Sequence, residues 1–274
     1  MKLIASDIDG TLLPHGGEIS HRTAATLQAV VTAGIPLVLV TARPPRWMSV
    51  IVDALGHQGE AIVANGAAVM NFETGEVYEQ TTITAEDVLA VADILRRELP
   101  GVTIAVESAL GMSIEEGGWP HAALLNPFES GAFESLEAVT GGHAFKILAR
   151  VEGHGGADAM IERVLPLLRG LVEPSHSAVD DSLLEFSPVG VSKASALERF
   201  AARTGLTAAD VIAFGDAPND IPMLAWAGRS YAMGDGHPAA KAVATHLAAP
   251  AADDGVARVL EELFDLAEPS LSLR

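Results

Sequence analysis

The chain has 274 residues, 49% of them hydrophobic, with 17 basic against 36 acidic side chains for a formal charge of -19. That supplies a sizeable core and enough length for two domains, and the missing basic surplus excludes a nucleic-acid binder that works by neutralising phosphates. Cysteine is absent, which removes disulfides, thiolate metal sites and a cysteine nucleophile.

The first third alternates short apolar runs with amphipathic stretches. Lys2 to Ser6 reads as a buried strand, and Ser20 as the N-cap of a helix that Gly34 terminates. Pro36 to Val40 is a continuous apolar run of the kind covered on both faces. Pro44 and Pro45 suit a helix start ahead of Met48, Ile51, Val52 and Leu55. Glu60 to Ala64 predicts a third strand, and Val69 to Asn71 and Glu76 to Tyr78 flank a hairpin signal at Glu73-Thr74-Gly75.

In the middle third, Thr84 with Asp87 predicts a capped helix to Leu99, followed by strands at Val102 to Glu107 and Met112 to Glu116. After a less regular stretch, His143 to Val151 alternates, Ala157 to Leu168 reads as helix, and Leu171 to Pro174 and Leu183 to Ser187 as extended. In the last third, Ser192 caps a helix ended by Gly205, Val211 to Phe214 is a buried strand, and Ile221 to Ala227 is helical. Arg229 to Met233 is another strand, and a final helix begins at Asp253 or Asp254. The rhythm predicts an α/β fold with a doubly wound parallel sheet, interrupted by an inserted α+β module.

Polar residues of one chemical kind follow the apolar runs. Asp7 and Asp9 stand two apart before Gly10, a spacing that in a continuing strand would set both on one face. An Asp-x-Asp-Gly turn is the simpler reading of that pair taken alone. Thr41 follows Val40, Lys193 opens a helix, and Gly215-Asp216-Ala217-Pro218-Asn219-Asp220 follows the strand at Val211 to Phe214. In doubly wound sheets ligands bind beyond the carboxyl ends of the strands, so these groups are expected to converge. Three or four carboxylates with a lysine and a hydroxyl suit an oxygen-loving cation together with a phosphoryl group.

The set resembles the haloacid dehalogenase-like hydrolase superfamily, in particular its Cof-like branch, subfamily IIB. Asp7-Ile8-Asp9-Gly10-Thr11-Leu12-Leu13 is similar to the first motif and Val38-Leu39-Val40-Thr41-Ala42-Arg43-Pro44 to the second. Val191-Ser192-Lys193-Ala194 is similar to the third and Gly215-Asp216 through Asp220-Ile221-Pro222-Met223-Leu224 to the fourth. Asn65-Gly66-Ala67, Ala232-Met233-Gly234 and Asp254-Gly255-Val256-Ala257 also fit the branch.

The resemblance implies a Rossmann-like core over residues 1–81 and 188–274, with a C2-type cap over 82–187. It implies an Mg²⁺-dependent phosphatase of small phosphorylated metabolites, sugar phosphates or phosphorylated cofactors, working through an aspartyl-phosphate. Asp7 would be the nucleophile and Asp9 the acid and base. The metal ligands would be Asp7, the Asp9 carbonyl and Asp216, with Asp220 orienting that shell. Thr41, Lys193 and Asn219 would contact phosphate, and Arg43 either phosphate or an ion-pair partner.

Two positions depart from the pattern: Ala42 replaces the usual glycine, which matters if the backbone there needs a positive φ, and Asp235 replaces the usual Asn. In the cap, Glu115, Glu116, Trp119, His121, His176, Asp180 and Asp181 are polar or aromatic candidates for substrate contact, each more readily read as a solvated loop residue or, for the tryptophan, a packing one. A phosphosugar mutase or a specialised sugar-phosphate phosphatase shares these motifs; a receiver-like signalling module or a sugar-phosphate sensor is the non-enzymatic alternative. The expected setting is cytoplasmic, as monomer or homodimer, with no nucleic-acid or membrane partner. A secretory cleavage would remove Asp7 and Asp9, and the apolar region from Ala29 to Val40 is too short and too interrupted to span a bilayer.

Overall fold

The computed structural model describes residues 2–56, 59–108, 111–115, 130–133, 144–176 and 182–266. The first sheet takes its strands from both ends of the chain: β1 (Leu3–Ser6), β2 (Leu37–Val40), β3 (Glu60–Val63), β4 (Ala68–Asn71), β5 (Val77–Gln80), β12 (Val211–Gly215), β13 (Arg229–Met233) and β14 (His246–Ala248). Their order is β14-β13-β12-β1-β2-β3-β4-β5. The run from β14 to β3 is parallel, and the β4–β5 hairpin adds an antiparallel edge. That hairpin turns where Asn71 Oδ1 accepts the amides of Glu73 and Thr74, as the local sequence predicts.

Every residue of β1, β2 and β12 is buried, because helices cover both faces. Ile4, Leu39, Ile212 and Phe214 pack with Leu27 and Val30 of α1 (His21–Thr32), Ile51 and Leu55 of α2 (Met48–Leu55) and Leu260 of α8 (Gly255–Phe264). The alternate residues Leu3, Ala5, Val38, Val40 and Ala213 meet Leu197 and Phe200 of α5 (Lys193–Arg203), Leu224 of α6 (Ile221–Trp226) and Ala240 of α7 (Pro238–Val243). The two-residue period of the strands thus sends neighbours to opposite helical layers.

The second sheet comes entirely from the segment between β5 and α5. Its strands are β6 (Thr103–Ser108), β7 (Gly111–Glu115), β8 (Ser130–Phe133), β9 (Ala144–Arg150), β10 (Val172–Ser175) and β11 (Leu183–Pro188), in the order β10-β11-β9-β6-β7-β8. Among these pairs β7–β8 is parallel and the others are antiparallel. One face packs on α3 (Ala85–Glu98) and α4 (Ala157–Leu168) through Val88, Val91, Leu95, Met160, Val164, Ile104, Ile147, Leu184 and Phe186. Thr84 caps α3 by accepting the Asp87 amide, as expected.

The structure differs from the sequence reading in two respects. β8, α7 and β14 are additional elements, and β1 stops at Ser6, so Asp7 and Asp9 do not share a strand face, while the expected hairpin gives the parallel sheet its antiparallel edge. Ser6 is the last residue whose partners, Phe214 and Leu39, remain in register; beyond it the chain turns out of the sheet. Among the described residues no helix is long and apolar enough to cross a membrane.

Candidate active site

β1 lies between β12 and β2, where successive crossovers leave in opposite directions and the strand ends open a crevice. The Asp7 amide donates to the Phe214 carbonyl at 3.0 Å, and the amides of Thr11, Leu12 and Leu13 then close on the Ile8 carbonyl. Gly10 has φ +82° at the tip of this turn, and a Cβ there would lie 2.4 Å from Asp216 Oδ2 and 2.5 Å from His15 Cε1. Glycine meets both the backbone and the space requirement.

Behind the turn lies a buried charge cluster. Lys193, 1% exposed, donates to Asp7 Oδ1 at 2.7 Å and to Asp220 Oδ1 at 2.6 Å. It is the first residue of α5, where a cation opposes the helix dipole, and the two carboxylates offset that cost. Ser192 and Ser195 form the capping box that starts this helix. Asp220 Oδ2 accepts the amides of Asp216 and Ala217 at 3.0 Å each, while Thr11 Oγ1 donates to Asp216 Oδ1 at 3.0 Å. His15 Nε2 stands 3.4 Å from Asp216 Oδ2.

Carboxylate oxygens of Asp7, Asp216 and Asp220 lie within 4.8 Å of one another, while the Lys193 ammonium bonds two of the three. Burial pushes the Asp7 carboxyl well above the usual carboxylate range against the pull of Lys193, and Asp220, Asp216 and Asp9 push it further. Burial, then Asp220, raises Asp216 to about 6. Burial alone would lower Lys193, but Asp220 and Asp7 raise it, so it stays charged. The surplus of buried, hard oxygen donors fits a divalent cation.

Asp9 faces the other way. Arg43 grips it in a two-pronged pair, Nε to Oδ2 at 2.7 Å and Nη2 to Oδ1 at 2.6 Å, with the Asp9 hydrogen bond raising Arg43 above its ordinary value. Thr41 is fully buried, and its Oγ1 accepts the Arg43 amide at 3.1 Å. Ala42 does not adopt a positive φ, so its methyl is accommodated where the family pattern has glycine. Asp235 is exposed and stands outside the cavity lining.

A cavity of about 490 Å³ joins these groups to the second sheet. Asp7, Asp9, Arg43 and Asn219 line it from the first sheet's side, and Lys146, Leu183 and Glu185 from the second. Thr41, Asp216 and Asp220 sit behind that lining, and Lys193 lines a smaller cavity of about 340 Å³ shared with Asn65 and Asn219. The expected core residues are therefore brought together around Asp7, with Asp9 and Arg43 at the mouth.

The residues of the second sheet that reach the site were not anticipated. Glu107 and Lys146 are cross-strand partners on β6 and β9, and Glu185 stands one strand further on β11, opposite Leu148. Glu107 takes Arg46 at 2.9 and 2.7 Å, Lys146 donates to the Ala42 carbonyl at 2.9 Å and to Glu185 at 3.2 Å, and Glu185 accepts from Asn65 at 2.5 Å. A single charge inside an otherwise apolar strand was the available signal: Lys146 in AFKILAR and Glu185 in LLEFSP. Of the cap candidates, Glu115 holds Arg96 and the Ile104 amide, and His176 pairs with Asp158 at 2.9 Å. Glu115 ties the second sheet to α3, His176 also meets the His237 ring of the core edge-on, and neither stands on the cavity wall. Glu116, Trp119, His121, Asp180 and Asp181 lie outside the described residues.

Comparison with known proteins gives a consistent result. A sequence model of the haloacid dehalogenase-like hydrolases matches residues 4–260. HMP-PP phosphatase from Escherichia coli is 30% identical, over 90% of this chain and 89% of its own. A 5-amino-6-(5-phospho-D-ribitylamino)uracil phosphatase from Bacillus subtilis is 27% identical, over 96% of this chain and 98% of its own. The crystal structure of a haloacid dehalogenase-like hydrolase from Bacteroides thetaiotaomicron superimposes with a TM-score of 0.79 at 27% identity, covering 96% of this chain and 99% of that one.

Proposed function

The chain belongs to the haloacid dehalogenase-like hydrolases, in their Cof-like branch, and on that premise we propose an Mg²⁺-dependent phosphatase of small phosphorylated metabolites that works through an aspartyl-phosphate. One observation carries the reading: Asp7, bridged to Lys193 and flanked by Asp216 and Asp220, opens onto a cavity of about 490 Å³. The activities named for the two curated relatives support a phosphorylated small molecule as substrate. In this reading residues 1–81 and 188–274 are the core and 82–187 the cap, supported by the segregation of β6 to β11 into their own sheet. The setting is cytoplasmic, as monomer or homodimer.

Asp7, Asp216 and the Asp9 carbonyl would hold the cation, with Asp220 fixing their arrangement; bound there, Mg²⁺ supplies Lewis-acid polarisation of the phosphoryl oxygens. Asp7 Oδ attacks phosphorus as the bond to the leaving oxygen breaks, and Asp9 gives that oxygen its proton. Asp9 then takes a proton from the water that attacks the aspartyl-phosphate, and Asp7 is released with inorganic phosphate. Lys193 draws the Asp7 carboxyl toward its ionised form against the effect of burial and meets the charge on the transferring group. Arg43 takes one acceptor site on each Asp9 oxygen, and each oxygen keeps a second lone pair for the proton. Thr41 completes the phosphate contacts, while Asn219, whose amide nitrogen is held by Asn65, keeps only an acceptor oxygen and does not donate to phosphate.

The test is release of free phosphate from a panel of phosphorylated metabolites, with Mg²⁺ and with EDTA. Hydrolysis of one or a few compounds, abolished by EDTA, is the expected result. Isomerised sugar phosphate in place of free phosphate would convert the reading to a mutase, and no turnover of any compound would overturn it.

A further inference from the structure

A chain of buried side chains runs from the second sheet into the core site. Glu185, 5% exposed, accepts from Asn65 Nδ2 at 2.5 Å; Asn65, 3% exposed, accepts on Oδ1 from Asn219 Nδ2 at 3.1 Å. Asn219 Oδ1 is buried and, among the described residues, has no hydrogen-bond partner, and Asn219 stands on the cavity wall with Asp7.

The polarity of this chain is fixed at its outer end. A carboxylate only accepts, so Asn65 must turn its amide nitrogen to Glu185 and its oxygen to Asn219. Asn219 must then spend its nitrogen on Asn65, and its oxygen is the atom left for the site. Without Glu185, either amide could rotate by half a turn and present N–H to the site instead.

Asn65 is built to act as the junction. It and Ala64 both have left-handed backbones, φ +56° and +50°, a conformation that persists in non-glycine residues only where the surroundings over-determine it. The Asn65 amide donates to the Thr41 carbonyl at 3.0 Å and the Ala64 amide to the Arg43 carbonyl at 2.9 Å. On the other side, a Cβ on Gly66 would lie 2.4 Å from the Ser192 carbonyl oxygen, so this corner is wedged against the start of α5. This corner thus touches the segments carrying Thr41, Lys193 and Asn219, and among the described residues the Asn65 side chain is tied to the second sheet through Glu185.

We propose that Asn65 is a positioning residue that couples closure of the second sheet over the site, sensed through Glu185, to the orientation of the Asn219 amide. With Glu185 docked, Asn219 offers an oxygen acceptor to the reacting centre; with Glu185 withdrawn, that orientation is no longer enforced. This coupling rests on the phosphatase reading for its catalytic consequence, but the orientation itself can be observed without turnover.

The experiment moves the carboxylate one link along the chain. Glu185→Gln removes the acceptor-only end, and Asn65→Asp places two carboxylates face to face. Each should lower kcat for an aryl phosphate about 10-fold or more, with KM changed much less. In the double variant the new amide at position 185 donates to the new carboxylate at position 65, which accepts from Asn219. The original polarity returns, and kcat should recover to within about 3-fold of wild type. Losses that multiply in the double variant would overturn the proposal, since a merely structural role for Glu185 gains nothing from a carboxylate at position 65.

The second measurement is the side-chain amide resonance of Asn219 in ¹⁵N-labelled protein. Glu185→Ala should shift it in an otherwise wild-type chain and leave it unmoved in an Asn65→Ala background. An Asn219 amide indifferent to Glu185→Ala would overturn the relay even in an active enzyme. If the wild-type chain hydrolysed no phosphate ester, the phosphatase reading would fall, and the amide resonances would still decide the relay.

Discussion

Two buried charge clusters meet at the cavity, and they are balanced differently. At the ends of β1 and β12, Asp7 and Asp220 share Lys193, and Asp216 stands in the same cluster beside His15, leaving more carboxylates than ammonium groups away from water. On the second sheet, Glu107 is matched by Arg46 and Glu185 by Lys146. A matched buried pair can stand on its own geometry, whereas an unmatched carboxylate set holds protons or a cation. The difference separates the tasks: the core cluster is prepared for an incoming positive charge, and the outer cluster closes the site without one.

The largest expected effect breaks the core cluster at its centre. Asp7→Asn should lower kcat on an aryl phosphate by about 10⁴-fold or more, with the melting temperature held or raised because a raised carboxyl is replaced by a neutral amide. Wild-type turnover in this variant would remove Asp7 as the nucleophile. Lys193→Met comes next. It strips the shared ammonium from two buried carboxylates, and should cost about 3–5 kcal/mol of stability and roughly 10²–10³ in kcat. Denaturant melts with and without Mg²⁺ measure it, and a variant as stable as wild type would show that the carboxylates are not ionised together.

Metal and pH act on the same imbalance. Burial and Asp220 raise Asp216 to about 6 in the folded chain, from an ordinary 3.8. The folded state therefore binds a proton that the unfolded chain has released. The stability from this group is full below about pH 4 and is lost as pH rises through about 6. In EDTA the melting temperature should carry this falling contribution across that window, and the rise produced by Mg²⁺ should be larger at pH 7 than at pH 5. Equal Mg²⁺ effects at the two pH values would mean the cation does not displace protons from this cluster. The smallest effect belongs to the Glu107–Arg46 pair. Glu107→Gln keeps the shape but weakens the grip on Arg46, so KM should rise a few-fold with kcat nearly unchanged, at about 1–3 kcal/mol of stability. A large fall in kcat would assign Arg46 and Glu107 to the chemistry instead.

The parts of the fold that were legible were those with local causes. Ser20, Thr84 and Ser192 cap their helices through their own hydroxyls, and Leu37–Val40 and Val211–Gly215 are continuous apolar runs that only a doubly covered sheet buries. Short elements such as α7 and β14 carry too little periodicity to stand out, and they are held by packing against β13 and its neighbours. Asp7 and Asp9 show the limit at the site itself. Their spacing says that they belong together, yet the end of β1 at Ser6 separates them, giving Asp7 to Lys193 and Asp9 to Arg43.

Residue types and their order along the chain were enough to determine the α/β alternation, the inserted segment and the core groups Asp7, Thr41, Lys193, Asp216 and Asp220. Asp7, Thr41 and Asp216 each follow an apolar run whose end in a doubly wound sheet must lie at the crevice, and Lys193 and Asp220 stand at the helix starts beside it. Tertiary structure alone decided which polar side chains meet around the cavity. Lys146 and Glu185 are 39 positions apart, Asn65 lies 120 from Glu185, and Asn219 lies 154 from Asn65. Contacts of that separation depend on how strands pair and how the two sheets face each other, and a hydrogen bond has no reach along the sequence to announce itself.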